Sequence, residues 1–315
     1  MERVAGPSRS AEDVLRAAPV LALALLGVSF AAVLVRLADA PATIVAFWRL
    51  VLTVGLVLPI VVASGQAADV RRLSAREWAW IGAAGSFLGL HFVSWFQSLA
   101  YVSVASSTVL VTSHPIFVAL LSARWLGERP ARREWAGIAA AVAGAALIGW
   151  GDLGGGPDPL AGDALAVLSA LFLALYLLIG RHVRARLGLW GYVAPVYAVA
   201  ALVCGLLAAV RGLPFLGYPR GTWLAFAGLA AGPMLLGHTG FNWALRHVRA
   251  YIVSLVQLLE PVGATALAIL ILGKAERPGW NTVLGGITIL AGVWVSVRVR
   301  LGGRGQVGGS EEARG

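Results

Sequence analysis

The sequence of 315 residues contains one cysteine, one lysine and few charged residues of either sign. With Cys204 as the only cysteine, a disulfide framework and a metal site built from cysteines are excluded. The five histidines lack the short His, Asp or Glu spacings of metal sites, so we expect no metal. We find no phosphate-binding loop, dinucleotide fingerprint or nucleophile elbow in the sequence. These absences disfavour an ATP-driven pump, and we expect no cofactor.

Apolar residues dominate the rest of the chain. Hydrophobic residues make up 59% of it and charged residues 13%, and the mean hydropathy is +0.81. A bilayer core is crossed by about 20 apolar residues in a helix, because backbone in hydrocarbon must be hydrogen-bonded internally. Ten such runs predict an all-α integral membrane protein with ten transmembrane helices, at 19–38, 42–63, 77–97, 102–123, 133–150, 161–181, 188–210, 221–244, 250–272 and 279–298.

The basic residues predict how the chain is oriented. The net charge of +10 could suggest a nucleic-acid partner, but the arginines form short clusters between apolar runs, as membrane flanks do, so we expect no nucleic acid. With the N-terminus inside, inner segments hold 19 basic residues and outer loops hold five. The positive-inside rule then places both termini in the cytoplasm of a multi-pass protein of the cell (inner) membrane.

The two ends of the chain are polar. Residues 1–18 resemble the charged start of a signal peptide or form an uncleaved cytoplasmic tail; the tail is favoured because nine more spans follow and no convincing cleavage site is present. Residues 299–315 are rich in glycine and predict a disordered cytoplasmic tail.

The two halves of the chain repeat each other. The segment SSTVLVTSHPIFVALLSARWLG precedes IVSLVQLLEPVGATALAILILG by 146 residues, which aligns Pro115 with Pro261. Halves of five spans must face opposite ways, so we expect two inverted five-helix repeats at 19–150 and 161–298, joined by an outer loop at 151–160. Inverted repeats are characteristic of secondary transporters, whose binding site lies near the midplane between the halves.

These repeats carry a family resemblance. FQSLAYVSVASSTVLVTSHPIFVALLSARWLGERP and FNWALRHVRAYIVSLVQLLEPVGATALAILILGKAERP, each followed by a glycine-spaced helix, resemble the two EamA-type domains of the drug/metabolite transporter superfamily. AFWRLVLT is similar to the arginine-bearing second helix of that family. The resemblance implies a ten-helix transporter of small metabolites, often an exporter.

Glu260 and His114 are the strongest candidates for a site. Each precedes a repeat-equivalent proline, and Glu260 lies about 15 Å into its span at 1.5 Å per residue. A carboxyl at that depth must face a cavity, pair or take up a proton. It could bind a substrate amine, couple protons or only join helices. We expect Glu260 and His114 to line opposite walls of a central cavity; the alternative for His114 is packing.

The prolines themselves predict helix breaks. Pro261 leaves the carbonyl of Gln257 without its usual helical partner, and Pro115 does the same for Val111. Free carbonyls beside a midplane cavity could bind a polar substrate. The alternative is a simple kink in each helix.

Further candidate residues fall on the second, third and eighth spans. Arg49 either snorkels to the outer interface or points inward to neutralise an acidic group or a substrate carboxylate. Polar and aromatic residues at helical spacing either line a cavity or fasten helices together: His91, Trp95, Gln97, His238, Asn242 and Trp243. Tyr101, Tyr176 and Tyr197 are weaker candidates. Gly82, Gly85, Gly89, Gly137 and Gly144 would let helices approach closely.

The sequence therefore predicts a secondary transporter that moves amino acids or related compounds by alternating access, with export favoured. The alternative is a non-transport membrane protein, such as a lipid-handling enzyme or an assembly factor. An enzyme would concentrate ionisable residues at one interface, whereas these candidates lie near the midplane, so we expect no enzyme. The expected partners are a small-molecule substrate, protons if transport is coupled, and the lipid bilayer; the expected assembly is a monomer or a weak oligomer.

Overall fold

The computed structural model describes residues 11–102, 104–125, 131–150, 158–273 and 280–302, and these ranges contain helices but no strand. The helices are α1 (Ala11–Ser29), α2 (Ala31–Leu37), α3 (Ala42–Ala63), α4 (Ala67–Arg71), α5 (Ala75–Ser98), α6 (Val104–Val111), α7 (His114–Trp125), α8 (Arg132–Trp150), α9 (Pro159–Val183), α10 (Leu189–Val210), α11 (Arg220–Leu229), a π-helical segment (Ala230–His238), α12 (Thr239–His247), α13 (Ala250–Gln257), α14 (Glu260–Leu272) and α15 (Trp280–Gly302).

The described helices confirm the all-α and strongly apolar character that the sequence predicts. Within the described ranges, seven helical stretches are long and apolar enough to cross a membrane: Asp13–Leu37, Ala42–Ala63, Ala75–Ser98, Leu160–Val183, Leu189–Val210, Arg220–His247 and Ile252–Leu272. Three apolar stretches are shorter: Ser107–Val118, Trp135–Gly144 and Val283–Gly292. Each of the ten stretches overlaps one predicted run, but the count of ten spans stays a prediction.

The chain ends differ in part from expectation. Residues 1–10, 151–157 and 303–315, which hold most of the predicted tails and outer loop, lie outside the described residues. α1 begins at Ala11, because the sequence AEDVLRAA is rich in good helix formers. α15 continues to Gly302, four residues into the segment for which the sequence predicts a disordered tail. Val299 and Leu301 extend the apolar run up to the glycine pair at 302–303.

Two helices are broken at repeat-equivalent places. α6 ends at Val111 and α7 begins at His114, while α13 ends at Gln257 and α14 begins at Glu260. The turns at 112–113 and 258–259 are 146 residues apart, which is the offset of the repeat. In each case the proline is the second residue of the new helix, where its missing N–H leaves no bond unmade. The breaks follow from the duplicated prolines.

A π-helical segment interrupts the stretch between α11 and α12. It runs from Ala230 to His238 and contains Pro233. The Thr239 hydroxyl donates to the carbonyl oxygen of Met234 at 3.1 Å, five residues back, where the wider turn leaves room. Such π segments occur frequently at functional sites. The sequence analysis did not predict this one, because its apolar pattern resembles that of an ordinary α-helix.

The last helices of the two repeats pack closely through glycine. A Cβ at Gly144 would lie 2.6 Å from the carbonyl oxygen of Gly285, and a Cβ at Gly292 would lie 2.6 Å from that of Gly137. Gly137 corresponds to Gly285 in the repeat, and Gly144 to Gly292. The two contacts are therefore one contact made twice, as expected for halves related by a pseudo-twofold axis.

The glycines of α5 do not all serve this purpose. Cβ atoms at Gly85 and Gly89 would lie 2.7 Å from Val196 O and 3.0 Å from Ala200 O, so both glycines let α10 approach. At Gly82 a Cβ would meet nothing within 4 Å. The prediction of close helix packing is therefore wrong for Gly82.

Candidate functional site

A small central cavity of about 20 Å³ lies among the described residues of both repeats. The first repeat contributes residues from the first, second, third and fourth predicted spans, and the second repeat contributes both sides of the break at 258–259. The lining residues are Val28, Ala31, Arg49, His91, Trp95, Val111, Thr112, His114, Leu173, Pro233, His238, Gln257 and Glu260.

Six of the candidate pathway residues meet at this cavity: Glu260, His114, Arg49, Trp95, His91 and His238. Gln97, Asn242 and Trp243 do not line it. Gln97 follows Trp95 by two residues, which turns it about 200° around α5. Trp243 instead stacks on His247, with ring centroids 4.1 Å apart.

Arg49 points inward and has no exposed surface. Its Cζ lies 4.1 Å from the ring centroid of Phe92 and 5.4 Å from that of Phe96. Its three guanidinium nitrogens, Nε, Nη1 and Nη2, have no hydrogen-bond partner among the described residues, so Arg49 is not hydrogen-bonded to Glu260. The interpretation that Arg49 snorkels to the outer interface is therefore wrong, because two phenyl rings hold its side chain in the protein interior.

His114 joins the two repeats, but not through Glu260. Its Nδ1–H donates to the carbonyl oxygen of Val111 at 3.1 Å, and its Nε2 lies 3.1 Å from Oε1 of Gln257. The carbonyl that Pro115 frees is therefore taken by the neighbouring histidine, and the expectation of a free carbonyl at Val111 is wrong. The partner across the repeats is Gln257, one turn before Glu260 and on the other side of the break.

His91 fastens α5 to α9 at the edge of the cavity. Its Nδ1 lies 2.8 Å from the Ser169 hydroxyl oxygen, and that hydroxyl donates to the carbonyl oxygen of His91 at 3.0 Å. The imidazole stacks on the indole of Trp95, with centroids 6.0 Å apart. The Nε1–H of Trp95 is buried and has no partner among the residues that the structure describes. The cavity therefore has a second unpartnered donor beside Arg49.

Asn242 belongs to a buried polar network behind the cavity. Its Nδ2 donates to the hydroxyl of Tyr176 and, at 2.7 Å, to the carbonyl oxygen of His238. The Tyr197 hydroxyl lies 3.0 Å from that of Thr239. These bonds connect α9, α10 and α12, which favours the interpretation that these residues fasten helices together.

A second buried arginine, Arg184, has a hydrogen-bonded guanidinium, unlike Arg49. Arg184 follows α9, and its Nε donates to the carbonyl oxygen of Asn242 at 3.1 Å while its Nη1 donates to that of Leu187. Burial and the nearby charge of Arg246 lower the pKa of Arg184 to about 10, so it stays charged at neutral pH. Arg49 has no such acceptors.

Comparison with models of known families matches the EamA-like transporter family over residues 16–150 and again over 160–298. The chain belongs to the EamA-like transporter family. The resemblance that the sequence carries is thus confirmed. Members of this family are multi-pass membrane transporters of small molecules, and the family name indicates a transporter rather than an enzyme.

Two relatives are similar to this chain in sequence, and one solved structure is similar to it in fold. Over 242 residues, 75% of this chain and 78% of the relative, the chain is 28% identical to a probable terminal-alkyne amino-acid exporter of Streptantibioticus cattleyicolor. Over 100 residues, 32% of this chain and 71% of the relative, it is 27% identical to an uncharacterised Sinorhizobium transporter from the region 3′ of cobO. A crystal structure at 20% identity matches with a TM-score of 0.75, covering 91% of this chain and 98% of that one, which supports the fold.

Proposed function

We propose that this protein is a secondary transporter that exports amino acids or related small metabolites across the cytoplasmic membrane by alternating access. The observation that carries the proposal is the central cavity, on which Arg49, His114 and Glu260 meet beside two repeat-equivalent helix breaks. Ionisable residues inside a membrane are costly and mark substrate or ion pathways. A cavity with such a lining suits a small polar substrate.

The inverted repeats supply the movement. Two halves of similar structure and opposite orientation can rock into two related conformations around a fixed site, one open to each face. The α8–α15 contact, with Gly144 against Gly285 and Gly137 against Gly292, supports such an arrangement because it joins the two halves symmetrically. We infer five spans in each half and both termini in the cytoplasm from the charge distribution.

The substrate class rests on the lining and on one relative. The cavity combines one cation and one carboxyl with apolar and aromatic residues, as small-molecule sites with a few placed polar groups do. The Streptantibioticus cattleyicolor relative is named a probable terminal-alkyne amino-acid exporter, which supports an amino-acid substrate and export for this chain. A lipid-handling enzyme is disfavoured because the ionisable groups gather around an interior cavity rather than at an interface.

Transport by purified protein tests this proposal. The protein is reconstituted into liposomes, and uptake of a panel of labelled amino acids, amines and organic acids is followed as a function of concentration. We expect saturable uptake of at least one amino acid above the level of empty liposomes. The variant Asp69→Asn, which changes an exposed carboxyl of α4 away from the cavity, serves as the matched control and should transport normally. Uptake that stays at the level of empty liposomes across the panel would contradict the proposal.

A further inference from the structure

Arg49 is a buried cation without a protein partner. Its side chain has no exposed surface, and its three guanidinium nitrogens find no acceptor among the described residues. Buried arginines elsewhere in proteins are almost always paired or hydrogen-bonded. Arg184 of this same chain obeys that rule, since it donates to two backbone carbonyls. Arg49 is thus charged in the interior with its hydrogen-bonding capacity unused.

The surroundings of Arg49 stabilise its charge only in part. Phe92 and Phe96 present their rings to the guanidinium, and such cation–π contacts contribute without supplying an acceptor. Trp95 adds an unpartnered Nε1–H to the same cavity. The Arg49 guanidinium and the Trp95 Nε1–H are both hydrogen-bond donors, so a ligand that pairs with them must supply acceptors. A guanidinium binds a carboxylate through two parallel hydrogen bonds.

Glu260 gives the cavity its opposite charge. It lines the same space as Arg49, yet no guanidinium nitrogen of Arg49 is hydrogen-bonded to it. A positive and a negative group that line one cavity without a hydrogen bond between them can each pair with the opposite charge of a single ligand. The rest of the lining is mixed: apolar residues such as Val28, Ala31 and Leu173 alternate with three histidines, a threonine and a glutamine.

We propose that Arg49 binds the carboxylate of a zwitterionic α-amino acid and that Glu260 binds its ammonium group, with a compact uncharged side chain against the apolar walls. The inference rests on the proposed transport function and names the substrate class of that site. A zwitterion pairs both charges, whereas an amine leaves Arg49 unpaired and a simple carboxylic acid leaves Glu260 unpaired. The site therefore selects against both.

The first test compares ligands on the unmodified protein. The amino acid with the largest saturable uptake is taken as the labelled substrate, and three unlabelled competitors are added to the proteoliposomes: the same amino acid, its amide, which lacks the carboxylate, and the corresponding deaminated acid, which lacks the amine. We expect the amide and the acid to compete at least tenfold more weakly. Equal competition by the amide would overturn the role of Arg49 while leaving transport intact. Absence of saturable uptake would overturn both proposals.

The second test changes the cation. Arg49→Gln should weaken competition by the amino acid at least tenfold and leave competition by its amide unchanged, because the amide never used the guanidinium. In Arg49→Lys, which keeps the charge but not the paired hydrogen bonds, competition by the amino acid should be weaker than in wild type and stronger than in Arg49→Gln. Arg220→Gln, at the exposed start of α11, is the matched control and should behave as wild type. If Arg49→Gln folds and weakens the amide and the amino acid alike, or weakens neither, the assignment is wrong.

Discussion

His114 of the first repeat and Gln257 of the second lie 3.1 Å apart, from Nε2 to Oε1, at the wall of the central cavity. Because Nδ1–H of His114 donates to Val111, a neutral ring has a bare Nε2 that must accept from the Gln257 amide nitrogen. A charged ring would instead donate to Oε1. Rotation of the amide group thus preserves the contact in both charge states, and the repeats stay joined at this point.

Removing the Gln257 side chain should destabilise the protein. Gln257→Ala leaves a buried ring nitrogen of His114 without a partner, which costs about 1–3 kcal/mol. We expect a lower unfolding temperature in detergent than for wild type. Gln97→Ala is the control, since Gln97 is half-buried and away from the cavity. An equal loss in the two variants would mean that the His114–Gln257 contact contributes nothing specific.

Neutralising Glu260 should weaken substrate binding. Hydrogen bonds to charged groups contribute about 1.5–3 kcal/mol, so Glu260→Gln should lower substrate affinity by about tenfold or more. Protonation removes the charge as the substitution does, so wild-type affinity should fall as the pH is lowered. The affinity of Glu260→Gln should stay low and vary less with pH. Transport assays over a range of pH measure both, and a wild-type pH profile in the Glu260→Gln variant would exclude Glu260 from the site.

The two buried arginines should respond in opposite ways to the same change. Arg49→Met removes an unpaired buried charge, whose desolvation costs several kcal/mol, and should raise the unfolding temperature of the substrate-free protein while weakening transport of the amino acid. Arg184→Met leaves two carbonyl acceptors without their donor and should lower the unfolding temperature. Thermal unfolding in detergent compares the pair. A similar drop in both would show that Arg49 is satisfied in the free protein.

The glycine contact between the repeats should not tolerate a methyl group. Gly144→Ala places a Cβ 2.6 Å from Gly285 O and 2.8 Å from Ile289 N, so the backbones of α8 and α15 must separate. Overpacking of this kind costs about 1–3 kcal/mol. Gly82→Ala meets nothing within 4 Å and should be neutral or slightly stabilising. The unfolding temperatures of the two variants are compared in detergent. Equal unfolding temperatures would contradict the close packing of α8 on α15.

Two kinds of feature could be predicted from the sequence: those that occur in both repeats, and charged residues whose burial in a membrane is energetically costly. The duplicated prolines mark both helix breaks, since a missing N–H has the same effect wherever it occurs. Glu260 and Arg49 stand out because charge within an apolar run demands an interior cavity or a partner. The EamA resemblance, carried by order and duplication, identifies the family.

Side-chain partners were harder to predict, because they depend on which helices face each other. Gln257 and Thr112 escaped notice as cavity residues, although both lie beside the predicted breaks. For Asn242 the sequence left open whether it lines a cavity or fastens helices, and in the structure its side chain donates a hydrogen bond to Tyr176 behind the cavity wall. The π-helical segment that brings Pro233 and His238 to the cavity leaves no mark in an apolar sequence.

Access to the cavity from both faces tests the central claim most directly. In the Cys204→Ala background, Thr112→Cys places a thiol on the cavity wall, and Leu202→Cys places one on the outward side of α10 as a control. A membrane-impermeant thiol reagent is added to either face of sealed vesicles. We expect Thr112→Cys to react from both faces and more slowly with bound substrate, and Leu202→Cys to stay unreactive. Reaction of Thr112→Cys from one face only, unaffected by any transported amino acid, would contradict alternating access through this cavity.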